Sequence, residues 1–217
     1  MSYLTFKIPL DFRFHLLYNS VKKMKYQEIA RKFRGRQINI FSTADFENIA
    51  SLSRESTWAA LGRYVKMGLI KSPKRGLYYF ADNPPDPYLL ANKIYIPSYI
   101  SFETALSYYS VIPEVVYTVT CATTKTTREF DNGDIVFAYY KIKLQAFAGY
   151  LKKEDYLIAD PEKALTDYLY FVALGKKTFN DRLDTKGLNK SKIIKYAKLF
   201  DNQKLDKIVS KLGRLRR

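Results

Sequence analysis

Four hydrogen-bonding side chains, Ser53, Arg54, Ser56 and Thr57, crowd the start of one short apolar-periodic segment, and Arg63 follows further along it. Hydroxyl and guanidinium groups are donors. At a helix N-terminus they add to backbone N–H groups that already favour an anion. Ala59 and Ala60 keep the surface of the segment small, and an alanine methyl can touch the methyl of thymine. Donors beside small residues are what a helix needs to grip phosphates and approach base edges in the major groove of DNA. Lys71, Lys74 and Arg75 come just after, around Pro73 and Gly76, and make a basic tongue able to reach a neighbouring groove. Upstream, Arg34 and Arg36 belong to a basic stretch, 22–37, that can lie along a flanking phosphate strand. Each phosphate neutralised releases counterions, so such binding weakens steeply with salt.

Catalytic chemistry has fewer supports. Hydrolysis or group transfer needs a nucleophile with a base and an oxyanion stabiliser, or a metal. The chain has one His, His15, and one Cys, Cys121, far apart in sequence. That set forms no zinc pattern, and no glycine-rich phosphate loop is present. The close carboxylates Glu154–Asp155 and Asp131–Asp134 fall where turns are expected. We expect no enzyme, no metal and no cofactor.

Elements must hold these residues. Residues 22–37 predict a helix ended by Gly35, and "INIF" a short strand. Ser42 and Asp45 form a capping-box pattern with Phe41 as a hydrophobic staple. Ser53 can cap a second helix over 54–67, with Gly68 in the left-handed position after it. At 100° per residue, Trp58, Leu61 and Val65 share a side expected to pack on Phe46 and Ile49. Ser56, Ala59, Ala60, Arg63 and Met67 are then expected outward. Leu69 and Ile70 open a strand, "SPKRG" predicts a loop, and "LYYF" a return strand. This order is that of a winged helix-turn-helix.

"DNPPDP" predicts a linker at 83–87, because prolines at 84, 85 and 87 continue neither helix nor sheet. Beyond it, "SYISFETALSYYSVIP" predicts a helix, 115–123 a strand, and "REFDNGDIVFAYYKI" a hairpin about Asn132–Gly133. "DYLIAD" predicts another strand. Asp160, Pro161 and Glu162 mark a helix start, and Leu165, Tyr168, Leu169 and Val172 form its apolar stripe. One or two basic helices follow from about 189. The expected fold is α+β: a winged helix-turn-helix domain over 1–82, then a mixed α/β domain over 88–217 with a basic helical tail.

Charge is segregated. Lys and Arg exceed Asp and Glu by 9 over residues 1–82 and by 9 over 186–217, while 83–185 carry −2. Basic ends around a neutral middle suit a polyanionic partner. A single cysteine fits a reducing cytoplasm, no apolar run suggests a membrane span, and "MSYLTFKIPLDFRFHLL" makes a poor signal peptide.

The stretch "FSTADFENIASLSRESTWAALGRYVKMGLIKSPKRGLYYF" resembles the N-terminal winged helix of AbiEi-type antitoxins, of the type IV (abortive-infection) toxin–antitoxin systems. "YISFETALSYYSVIPEVVYTVT" and "YLIADPEKALTDYLYF" look like two further segments of that family, so the resemblance covers roughly residues 36–175. It implies a protein that represses its own operon by binding inverted repeats, which allows a dimer on DNA. It also implies a second domain that counteracts a nucleotidyltransferase-like toxin, without a stable complex. By position the DNA contacts would be Ser53, Arg54, Ser56, Thr57, Arg63, Lys71, Lys74 and Arg75. Tyr99, Ser101, Pro161, Glu162, Lys163 and Asp167 match the second-domain motifs. Their plain chemistry is structural: Pro161 and Glu162 start a helix, and Ser101 can cap one. A regulator with a ligand- or protein-sensing second domain and no toxin is the alternative, and a protein-interaction adaptor is a third.

Overall fold

In the structure, a computed structural model, residues 26–212 are described. His15, the aromatic stretch 1–20 and the start of the helix expected over 22–37 lie outside them. The chain divides into two units between Pro84 and Pro85.

The described part of unit one opens with helix α1 (26–35) and strand β1 (Ile40–Ser42). Ser42 then starts α2 (Thr43–Ala50) through the expected reciprocal cap: its hydroxyl accepts from Asp45 N–H at 3.1 Å, and Asp45 accepts from Ser42 N–H at 2.8 Å. Ser51 ends α2 in the left-handed region, φ 53°. Two residues later Ser53 caps α3 (Arg54–Lys66), accepting from Ser56 N–H at 3.3 Å. Gly68, φ 68°, turns the chain into β2 (Ile70–Lys74), which pairs with β3 (Leu77–Phe80). The antiparallel sheet has the order β1-β3-β2. Its core is aromatic. Phe33 lies 4.6 Å from Phe41 between ring centres, and Tyr26 meets Tyr64 edge-on at 5.3 Å.

Two local expectations change. The buried side of α3 is Thr57, Ala60, Leu61 and Tyr64, whereas Trp58 is 44% and Val65 37% exposed. The helix is rotated by roughly 80° from the side chosen by hydropathy. Ala60 lets its neighbours come close, and Tyr64 joins the ring cluster through Tyr26 and Phe46. The loop expected at 72–76 is mostly strand. β2 carries Pro73 at a register break between Lys71 and Lys74, where a missing N–H is tolerated, and only Arg75 and Gly76 turn the chain.

Unit two starts within the expected linker. Asp86 accepts from the N–H groups of Tyr88 and Leu89, and Pro87 opens α4 (Pro87–Ile94). Pro suits the first turn of a helix, where no N–H is required, so this proline begins an element. β4 (Ser98–Ile100) and α5 (Phe102–Tyr108) follow, so the first part of the helix expected from Ser98 is a fully buried strand. β5 (Val119–Thr123) forms only the end of the strand expected over 115–123; Val115 and Tyr117 are exposed. β6 (Arg128–Asp131) and β7 (Val136–Lys141) make the antiparallel hairpin, with Gly133 at φ 86°. β8 (Tyr150–Lys153), β9 (Tyr156–Ala159), α6 (Pro161–Ala173), α7 (Lys190–Lys198) and α8 (Gln203–Leu212) complete its described part.

The six-stranded mixed sheet has the order β6-β7-β5-β4-β9-β8, with β5–β7 and β4–β9 parallel. β4 and β9 lie inside it. α6 packs on α5, α7 and α8, and its residues from Glu162 to Phe171 are all buried. The single apolar stripe expected for α6 is thus too narrow, and Val172 is the partly exposed member of that stripe. Among the described residues the molecule is mixed α/β with two sheets.

Candidate nucleic-acid interface and a buried polar network

The outward side of α3 carries Arg54, Glu55, Ser56, Trp58, Ala59, Gly62, Val65, Lys66 and Met67. Ser53 donates its hydroxyl to Ser56 Oγ at 3.1 Å while accepting from the Ser56 N–H. The Ser56 hydroxyl proton remains available at the helix start. Arg63 is half-buried, and its guanidinium carbon stands 5.3 Å from the centre of the Tyr64 ring. Its Nε is buried with no hydrogen-bond partner. Trp58, Ala59, Gly62, Arg63, Lys66 and Met67 line one shallow depression along the helix.

Two residues expected to touch DNA cannot do so from this face. Thr57 is fully buried and Ala60 nearly so, because both point into the core. Trp58 and Lys66 take the outward positions instead. The exposure of Trp58 was hidden in the sequence because it belongs to the more apolar stripe, Trp58–Leu61–Val65. Lys74 and Arg75 are exposed at the β2–β3 turn, and Lys71 is half-exposed opposite Tyr79. Arg34 donates to Asp82 at 2.5 Å in an exposed ion pair, so an acid already counters its charge. Arg36 is exposed.

Unit two brings four motif residues together in its interior. Lys163 and Asp167, one turn apart on α6, form an ion pair, and both are fully buried. The other carboxylate oxygen of Asp167 accepts from Tyr99 Oη at 3.0 Å and from Ser101 Oγ at 2.7 Å. Burial pushes the Asp167 carboxyl up and the Lys163 ammonium down, each toward neutrality, and their pairing opposes this. Burial, with Asp167 alongside, holds the Tyr99 phenol well above its ordinary value. Lys163 Nζ also lies 4.8 Å from the Phe200 ring centre. Ser101 makes no side-chain cap to α5, contrary to expectation, because its hydroxyl serves Asp167. This arrangement ties β4 to α6.

The start of α6 is a second junction. Asp160 accepts from Lys163 N–H at 2.9 Å and from Tyr196 Oη at 2.6 Å. Glu162 accepts from Asn189 N–H at 3.0 Å and pairs with Lys192 at 3.2 Å. Pro161 occupies the first turn. The network therefore clips α7 onto α6. A separate open depression holds the Glu103–Lys177 pair, at 2.6 Å, and the Glu114–Arg182 pair. Cys121 is buried in β5, and burial pushes its thiol far up, so it is held protonated. Asp131 accepts from Gly133 N–H in the hairpin turn, which gives that carboxylate a structural partner.

No family model and no curated protein matches this chain. What it can bind must be argued from its surfaces. No helix among the described residues is long and apolar enough to cross a membrane.

Proposed function

We propose that unit one is a winged helix-turn-helix that binds double-stranded DNA, with α3 in the major groove and the β2–β3 turn as its wing. The observation that carries the reading is the outward face of α3, with Arg54, Ser56, Ala59, Gly62 and Lys66 exposed and Arg63 half-buried at its margin, near in sequence to Lys74 and Arg75. The capped start of the helix supplies oriented N–H groups and a serine donor for phosphate. Arg63 and Lys66 bring charge further along the groove. The basic excess over residues 1–82 supports the same partner.

In this reading the protein is a transcriptional autorepressor and antitoxin. It acts on promoter inverted repeats through unit one, and unit two counteracts a nucleotidyltransferase-like toxin. The second half rests on the resemblance of the Tyr99–Ser101 and Pro161–Asp167 segments. Those side chains are turned inward, so they shape unit two, and its exposed surfaces are what a partner meets.

The test uses the full chain on DNA from its own upstream region. Each arginine that bonds a base should weaken binding by roughly 1–3 kcal/mol when replaced by Ala, and each that bonds a phosphate should lower the salt slope by about 1. Arg63 and Arg75 are replaced together. The same variant should still protect cells from a toxin encoded beside the gene. Unchanged affinity and salt slope would remove the DNA assignment, and failure to protect would remove the division of labour. The open depression at Glu103 and Glu114 favours, as a second reading, a regulator whose second unit senses a ligand. A neighbouring gene for a nucleotidyltransferase-like protein decides against that alternative.

A further inference from the structure

We infer that Trp58 is the residue of α3 that reads sequence, by apolar contact with thymine methyl groups in the major groove. This rests on the DNA-binding reading and goes beyond it, because Trp58 was expected in the core.

Trp58 is 44% exposed, although tryptophan offers one of the largest apolar surfaces to bury. Gly62, one turn on, has no reason within the fold. Its φ is not positive, and a Cβ built on it meets nothing within 4 Å beyond its chain neighbours and its own helix's backbone. Glycine in a helix interior is less favourable than alanine. An outward glycine beside an outward tryptophan leaves the backbone bare, which lets a partner approach closely. Charge selects the partner. α3 carries Arg54, Arg63 and Lys66 with the patch, against one acid of its own, Glu55. A second copy seated here across a two-fold axis would bring these like charges together. A polyanion is attracted, and thymine methyls are the apolar groups that the major groove offers.

Trp58 is the only tryptophan of the chain, so intrinsic emission reports on this residue. The full chain is titrated with alternating dA·dT, dA·dU and dG·dC duplexes, which separates the methyl from the rest of the base pair. On dA·dT, Trp58 emission should change and become shielded from acrylamide. Affinity for dA·dU should be at least about threefold weaker than for dA·dT. Trp58→Ala should erase that difference and keep salt-dependent binding. Gly62→Ala should weaken dA·dT binding without lowering Tm.

Equal affinity of the native chain for dA·dT and dA·dU, or a Trp58 still open to acrylamide on saturated DNA, overturns the inference and leaves DNA binding standing. Failure to bind any duplex at low salt overturns the DNA reading itself. Shielding of Trp58 that grows with protein concentration in the absence of DNA gives the face to a second copy and also overturns the inference.

Discussion

Lys163 and Asp167 lie one turn apart on α6 and pair with each other at zero exposure, with Tyr99 and Ser101 both donating to the same carboxylate. A pair at this spacing on a surface helix contributes little. Out of water the consequence reverses: removing one partner leaves a charge that nothing compensates. Asp167→Ala should therefore cost about 3–5 kcal/mol, since it strands the Lys163 ammonium and two hydroxyls. The double replacement Lys163→Met with Asp167→Leu should recover much of that loss. Urea denaturation followed by circular dichroism, with hydrogen exchange on α6, measures both. A single variant as stable as the native chain would refute a sealed pair.

The orientation of α3 can be tested on adjacent alanines. Ala60 is buried and Ala59 exposed. Ala60→Leu should overpack the aromatic core and cost about 1–3 kcal/mol. Ala59→Leu should stay within about 0.5 kcal/mol of native. Thermal denaturation of the two variants side by side is enough, and equal tolerance of both changes would restore the orientation expected from hydropathy, which turns both alanines outward.

The elements written in local chemistry were legible in the sequence. Ser42 with Asp45, Asp160 with Pro161, and Asn132 with Gly133 each specify a bond or a turn within a few residues, and each forms. What depended on distant chain was not legible. Ser98–Ile100 resembles a helix start until β5 and β9 pair with it on either side. The burial of Lys163 and Asp167 depends on α5, α7, α8 and β9, which pack on α6 from distant stretches of chain. In α3 the apolar stripe chosen by hydropathy gave way to Thr57, Ala60 and Tyr64, because small size and ring packing decided which side faces the core. Of the residues expected on DNA, Ser53, Arg54, Ser56, Lys74, Arg75, Arg34 and Arg36 lie exposed, Lys71 and Arg63 partly so, and Thr57 and Ala60 are inside.

A steric relationship fixes α7. Gly149, φ 75°, sits so that a Cβ would lie 2.6 Å from Tyr196 Cζ, and that tyrosine donates to Asp160 at 2.6 Å. Gly149→Ala meets both backbone strain and a collision. Gly187→Ala, at φ 83° with open space around it, meets strain alone, about 1–2 kcal/mol. The first should be the more damaging of the two. Combining it with Tyr196→Ala should cost less than the sum of the single changes, because without the ring the added methyl has nothing to collide with. Additive costs in this double-mutant cycle would show that the ring is not what Gly149 accommodates.

Unit one should also carry an alkaline limit set by Tyr26. Its hydroxyl donates to the Leu69 carbonyl at 3.1 Å. Burial, followed by the nearby Asp82 carboxylate, raises its pKa from 10.0 to about 12. A folded value above the unfolded one means that the folded state favours the protonated phenol. Its contribution to stability is complete below pH 10.0 and is lost as pH rises toward about 12. Tyr26→Phe gives up the hydrogen bond, about 1 kcal/mol, and with it the titrating group. Its stability should therefore fall less steeply than that of the native chain across this window. Urea midpoints read from Trp58 emission keep the measurement on unit one, away from the buried Tyr99 and Tyr139 of unit two, whose phenols burial also raises. Parallel loss of stability in the native and Tyr26→Phe chains would assign the alkaline limit to another group.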